Sequence, residues 1–195
     1  MKDLKIIDNY LSEQDFKFIA DFFLGYEFPW YVSTFDKQYD RVAESWGEYD
    51  VLGDWKEDKE LVDFYDWQFV HTFYERDVPQ SKYFSYLDPF FKRMNIICLI
   101  RARIVLNFAT SKQIMLGGYH YDLPKEFNIS GVETAIFYFN TNNGYTQLQD
   151  GTKIESVANR LASFPTDTLH SGVSCTDEKR RVQLNLNYIK GNIKE

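Results

Sequence analysis

The second half of the chain alternates. Arg181, Gln183, Asn185 and Asn187 fall on one side of an extended segment, and Val182, Leu184, Leu186 and Tyr188 fall on the other. A period of two marks a β-strand, because successive side chains point to opposite faces. From Arg101 to Asn107 the pattern recurs. Ala102, Ile104 and Leu106 face one way and Arg101, Arg103 and Asn107 the other, with Val105 an apolar member of the polar side. Further strands are expected over residues 133–140, 161–164 (ending at Pro165) and 168–173, and after Gly117-Gly118 in the segment carrying His120. Asn143-Gly144 and Asp150-Gly151 are hairpin turn signals.

The first half is mixed. Residues 4–7 form a short strand. Ser12 reads as a helix N-cap, with Glu13 and Asp15 in the first turn. Phe16, Ile19, Ala20 and Phe23 then follow at helical spacing, and Gly25 is the stop. Ser81 opens a second helix with Phe84, Leu87, Phe91 and Met94 on one face, or else Asp88-Pro89 starts a separate short helix. Strands are expected at Pro29-Trp30-Tyr31-Val32 and over 67–74. Between them Trp46, Tyr49, Trp55 and Tyr65 lie among acidic residues with no clean period. That excursion either covers a substrate or is anchored to the domain by its aromatic side chains. His71, in an aromatic strand, reads as structural.

Two helices followed by about eight short strands imply an α+β, mainly β, single domain over 1–195. Helices and the excursion occupy about 1–95, and a sandwich or barrel of jelly-roll type occupies about 96–190. Composition agrees with a folded chain: 195 residues, 44% hydrophobic and 18% aromatic. No apolar run approaches the roughly 18 residues of a membrane span. The N-terminus has no apolar signal region. Cys98 and Cys175 form no CxxC, so a reduced cytoplasmic protein is expected, with one disulfide left open. The net charge of −7 argues against a broad duplex nucleic-acid surface.

The chemistry concentrates in Gly118-Tyr119-His120-Tyr121-Asp122. His120 is one of three histidines. On a strand, His120 and Asp122 would share a face. His170 follows fifty residues later. Two histidines and one carboxylate make the facial triad of non-haem Fe(II) oxygenases, with three coordination positions open. Arg181 lies eleven positions beyond His170, on the polar side of the last strand. A buried guanidinium needs an anion, and a carboxylate is its natural bidentate partner. The neighbouring Arg180 is the alternative partner for that anion; Arg181 is preferred because it lies on the polar face of its strand.

The order His120-x-Asp122, His170, Arg181 resembles the Fe(II)/2-oxoglutarate-dependent dioxygenase superfamily. The finer pattern is similar to its prolyl-4-hydroxylase-like branch, including small phage members. It is carried by Thr134 to Asn140, Asn143-Gly144-Tyr145-Thr146, Ala158 to Phe164, His170-Ser171-Gly172-Val173 and Arg181-Val182-Gln183-Leu184-Asn185. The resemblance implies a double-stranded β-helix with His120, Asp122 and His170 as iron ligands. Arg181 would hold the distal carboxylate of 2-oxoglutarate and Tyr138 would hydrogen-bond it; Asn107 is a further candidate contact. O2 is then the oxidant, and the branch suggests a peptidyl substrate, proline first, with free amino acids and nucleobases as the alternatives. Halogenating relatives lack the carboxylate ligand, so Asp122 implies hydroxylation. A phage or bacterial origin goes with this likeness. Residues 28–74 and the loop 123–131 are expected to set substrate choice. Two other readings compete: a cupin-like metal-dependent isomerase, which would want His-x-His, and a non-enzymatic jelly-roll protein.

Overall fold

The alternating C-terminal segment is the structural centre of the molecule. The computed structural model describes residues 3–34, 67–123 and 131–191. In chain order the elements are β1 (Lys5–Ile7), α1 (Glu13–Phe23), β2 (Tyr31–Thr34), β3 (Trp67–Glu75) and β4 (Val78–Pro79). A 3-10 turn (Phe84–Leu87) leads into α2 (Asp88–Phe91). Then come β5 (Ile96–Phe108), β6 (Met115–His120), β7 (Val132–Tyr138), β8 (Tyr145–Leu148), β9 (Lys153–Glu155), β10 (Arg160–Pro165), β11 (His170–Val173) and β12 (Arg180–Lys190).

Two antiparallel sheets result. The large one runs β1-β10-β7-β12-β5-β3-β2, with β4 beside β3, and the small one runs β6-β11-β8-β9. β12 lies between β5 and β7, so its polar residues align with theirs. Arg181 faces Asn107, Gln183 faces Val105 and Tyr138, Asn185 faces Arg103 and Ile136, and Asn187 faces Arg101 and Thr134.

The apolar side of this sheet carries the main core. Ile104, Phe137, Val182, Leu184 and Leu186 are buried there with Ile19 and Phe23 of α1 and Leu87 and Phe90 of the following turn and α2. Phe90 meets Phe137 edge-on at 4.7 Å between ring centroids, and Phe23 meets Phe139 at 5.3 Å. α1 begins as its sequence requires: the Ser12 hydroxyl accepts from the Asp15 N–H at 3.1 Å. Its last turn is capped from the sheet, where Arg180 donates to the Leu24 carbonyl at 2.6 Å. A cation there complements the helix C-terminus. A second, smaller cluster lies on the opposite side, where Ile136, Tyr138, Ala162 and Phe164 meet Leu148 and Ile154 of the small sheet.

Some expectations hold and others need correction. Of the two readings after Ser81, the separate short helix opened by Asp88 and Pro89 is the one formed; a 3-10 turn precedes it, and Phe90 rather than Phe91 is fully buried. Asp150-Gly151 does close a hairpin, between β8 and β9, with Gly151 at φ +87°. Asn143-Gly144 does not, because β7 and β8 belong to different sheets. Gly144 serves close approach instead: a Cβ there would lie 2.8 Å from the Val173 carbonyl and 2.9 Å from Cδ of Arg181. The strand expected over 133–140 ends at Tyr138. His71 is structural, bonded through Nδ1 to the Pro29 carbonyl at 2.8 Å and through Nε2 to the Ser81 hydroxyl at 2.7 Å. Cys98 and Cys175 are both free. The aromatic excursion with Trp46, Tyr49, Trp55 and Tyr65, and residues 124–130 of the loop expected to aid substrate choice, lie outside the described residues.

Candidate functional site

Strand pairing brings the histidines together. β6 and β11 are antiparallel neighbours with His120 directly opposite His170. Their rings lie 4.8 Å apart between centroids. Each ring pairs its Nδ1 with a backbone carbonyl two residues back: His120 with Gly118 at 3.1 Å and His170 with Thr168 at 2.9 Å. With Nδ1–H donating there, Nε2 carries the lone pair, which is the form a metal needs.

Asp122 arrives differently from the way strand alternation implies. β6 ends at His120, and Gly117 and Gly118 both sit at φ +70°, which breaks the alternation just before it. Asp122 lies past the strand end and is held by the large sheet. Arg101 donates from Nη2 to Asp122 Oδ1 at 2.7 Å, and Asn187 donates from Nδ2 to Oδ2 at 3.1 Å. The clamp is itself braced. Arg101 Nε donates to Asn187 Oδ1 at 3.0 Å, and Asn187 Nδ2 also donates to Thr134 Oγ1 at 2.9 Å. Asp122 Oδ2 then lies 3.8 Å from His170 Nε2. Ligand atoms of His120, Asp122 and His170 all fall within 4.8 Å of one another.

The electrostatics suit a cation. Burial, with help from the neighbouring His170, pushes the His120 pKa down to about 4, so its imidazole is neutral at pH 7. Burial works to raise Asp122, but the Arg101 guanidinium, both histidines and the Asn187 hydrogen bond outweigh it and hold the carboxyl well below the usual range. A neutral imidazole and an ionised carboxylate are what metal ligation requires.

On β12, N-terminal to Asn187, lies a buried cation. Arg181 is 0% exposed. Its Nε donates to Ser156 Oγ at 2.8 Å and its Nη2 to Thr146 Oγ1 at 2.9 Å, while Nη1 has no partner. The guanidinium sits 5.4 Å from the Tyr138 ring centre. Among the described residues no carboxylate pairs with it. Burial lowers its pKa, and Tyr138 is raised by the same burial. A buried charge without a counterion is costly by several kcal/mol, so this arrangement calls for a bound anion. Thr146 Oγ1 accepts from both Arg181 and Tyr138, whose hydroxyl lies 2.8 Å away. Its own O–H is left to donate to that anion. Asn107 lies beside Arg181 in the register. Arg180 points the other way, to α1.

Between Arg181 and Asn187 stand Gln183 and Asn185, each 7% exposed. Gln183 Oε1 and Asn185 Oδ1 have no hydrogen-bond partner. An unpaired buried acceptor costs about 1–3 kcal/mol.

Of the residues named from the sequence, the structure brings His120, Asp122 and His170 together and sets Arg181 over the Tyr138 ring; Arg101, Asn187, Thr146 and Ser156 were not named as site residues. Arg101 and Asn187 did carry a signal, as polar members of alternating strands. Ser156 carried none.

No protein-family model matches this sequence, and neither does any curated protein. Solved structures do. The viral collagen prolyl hydroxylase of Paramecium Bursaria Chlorella virus-1, in its 2-oxoglutarate complex, aligns with a TM-score of 0.53 at 12% identity over 98% of this chain and 97% of that one. A Trichoplax adhaerens prolyl hydroxylase, in complex with a hypoxia-inducible-factor peptide fragment, gives 0.56 at 14% identity over 96% and 84%. A Pseudomonas putida prolyl-4-hydroxylase gives 0.51 at 13% identity over 97% and 93%. At such identities the shared property is architecture: this chain has the double-stranded β-helix, or jelly-roll, fold of the prolyl hydroxylases.

Proposed function

We propose that the protein is an Fe(II)- and 2-oxoglutarate-dependent oxygenase that hydroxylates a C–H bond. The observation that carries the reading is the pairing of two half-sites between the sheets, the histidines on β6 and β11 of the small sheet and Arg181 on β12 of the large one. A His-Asp-His cluster with an ionised carboxylate is one of them, and a fully buried Arg with an unpartnered Nη1 is the other. The first fits a divalent metal and the second fits a carboxylate, so a dicarboxylate that also chelates the metal satisfies both.

His120 Nε2, His170 Nε2 and the Asp122 carboxylate are the groups that would hold iron. Arg101 and Asn187 fix the carboxylate and keep it ionised. Arg181 would pair with the distal carboxylate of 2-oxoglutarate through Nη1, with Thr146 and Tyr138 supplying hydroxyl groups beside it. Ile136, Ala162, Phe164, Leu148 and Ile154 keep the space between the sheets dry, which strengthens each of these interactions. When bound, iron with 2-oxoglutarate and O2 supplies the oxidising chemistry, the cosubstrate leaving as succinate and CO2.

The substrate reading is a peptidyl, prolyl-like residue. It is supported by the prolyl hydroxylase neighbours, one of which is seen with a peptide. The net charge of −7 works against duplex nucleic acid. Among the described residues no helix is long and apolar enough to cross a membrane.

The test is an anaerobic titration with Fe(II) and then 2-oxoglutarate, following the visible metal-to-ligand charge-transfer band of the chelate. The wild type should show the band, His170→Ala should not, and Arg181→Ala should need far more 2-oxoglutarate. A folded wild-type protein without the band would overturn the reading.

A further inference from the structure

The groups behind the three candidate ligands leave the cluster poor in electrons. His120 and His170 lean on neutral acceptors, the backbone carbonyls of Gly118 at 3.1 Å and Thr168 at 2.9 Å. A carboxylate in either place would make the imidazole a stronger donor. Asp122 has a cation behind it. Its Oδ1 accepts from the Arg101 guanidinium at 2.7 Å and its Oδ2 from the neutral Asn187 amide at 3.1 Å. The Asp122 side chain is 1% exposed and that of Arg101 11%, so little water screens the pair.

Orientation alone does not require a guanidinium. Asn187 already fixes one carboxylate oxygen with a neutral N–H, and a second amide could fix the other without burying a charge. Replacing a buried ion pair by packed apolar side chains is often neutral or stabilising, so stability does not require it either. What a cation adds is its charge. It draws on the electron density of the carboxylate and repels any ion that the carboxylate holds. That repulsion grows with the charge of the held ion, so it weighs more on a trivalent state than on a divalent one.

We propose that Arg101, acting through Asp122, is a positioning residue whose charge biases the cluster toward Fe(II) over Fe(III). This rests on the iron reading of the site. Groups behind the ligands tune a reduction potential through their charge and hydrogen bonds. Here the guanidinium is one carboxylate removed from the held ion, and the carbonyls behind the two histidines are neutral and do not offset it. The bias belongs to the protein itself and acts before any cosubstrate binds.

The experiment measures the midpoint potential of iron bound to the full chain, at saturating metal and without 2-oxoglutarate. Arg101→Gln keeps a hydrogen-bond donor and removes the charge. Arg101→Lys keeps the charge and removes the fork that also holds Asn187. In Arg101→Gln the affinity for Fe(III) relative to Fe(II) should rise about tenfold or more, which lowers the potential by about 59 mV or more for one electron. In Arg101→Lys the ratio should stay within about threefold of the wild type, although both ions bind more weakly. Arg101→Met gives the same test as Arg101→Gln if the latter does not fold. An unchanged ratio in the uncharged variants would overturn the proposal. So would an equal change in Arg101→Lys, which would make geometry the cause, or a folded Arg101→Gln protein that holds neither ion. A folded wild-type protein that binds no iron would instead sink the iron reading itself.

Discussion

On one face of β12, Val182, Leu184 and Leu186 are buried under α1 and α2. On the other, Arg181 and Asn187 are buried as completely, with Gln183 and Asn185 nearly so. The backbone, the neighbours β5 and β7 and the degree of burial are shared; only the chemistry differs. The apolar face gains from leaving water, about 1.5–3 kcal/mol for each large side chain. The polar face loses by it: a guanidinium without a counterion and two unpaired amide oxygens are held in place by the packing behind them. Stability and binding are thus assigned to opposite sides of one strand, and each can be broken alone.

The largest separation should come from Leu184→Ala. It leaves a cavity in the main core and should lower the unfolding free energy by about 2–5 kcal/mol in a denaturant titration. Metal and 2-oxoglutarate affinity of the folded fraction should stay near wild type. Arg181→Met should do the reverse. Removing an unpaired buried charge should leave the melting temperature equal or higher, while 2-oxoglutarate affinity by calorimetry falls by the equivalent of about 2–5 kcal/mol. A matching fall in stability would show that the guanidinium supports the fold rather than a ligand. Arg101→Ala should weaken metal binding about 10–100-fold, as loss of a group that orients a ligand does. Co(II) titration reads this directly, and Arg101→Lys should recover part of it. The smallest effect is expected from Arg180→Ala, which removes the cation at the end of α1. It should cost about 0.3–1 kcal/mol of stability and leave 2-oxoglutarate binding unchanged. A binding defect there would mean that the two neighbouring guanidinium groups are not divided between the faces.

Much of this was legible in the sequence. Alternation located β5 and β12 and separated Arg181 from Arg180, because side-chain direction on a strand follows from parity alone. The Ser12 cap and the apolar spacing behind it located α1. Other features were not legible. His120 and Asp122 do share a site, but not by strand alternation: β6 ends between them, and Asp122 is drawn in by Arg101 and Asn187 from the other sheet. Asn143-Gly144 has the composition of a hairpin turn and joins two sheets instead. A dipeptide encodes local backbone freedom and not the partner of the strand that follows. After Ser81 the Asp88-Pro89 start was legible, but the face was not: Phe90 is buried in place of Phe91, because a 3-10 turn changes the phase of the helix after it.

What the sequence determined by itself was therefore the set of chemical groups and their parity on each strand: two histidines, one carboxylate and one guanidinium in the order of an iron oxygenase, on strands with one apolar and one polar side. Only the tertiary structure decided that the polar side is buried too. Polar alternation normally marks a solvent-facing surface, and nothing in the local pattern distinguishes that surface from the inside of a double-stranded β-helix. The small sheet closing over β5, β7 and β12 makes the difference. It removes water from Arg181, Gln183 and Asn185, and so turns an ordinary polar face into one that requires a ligand.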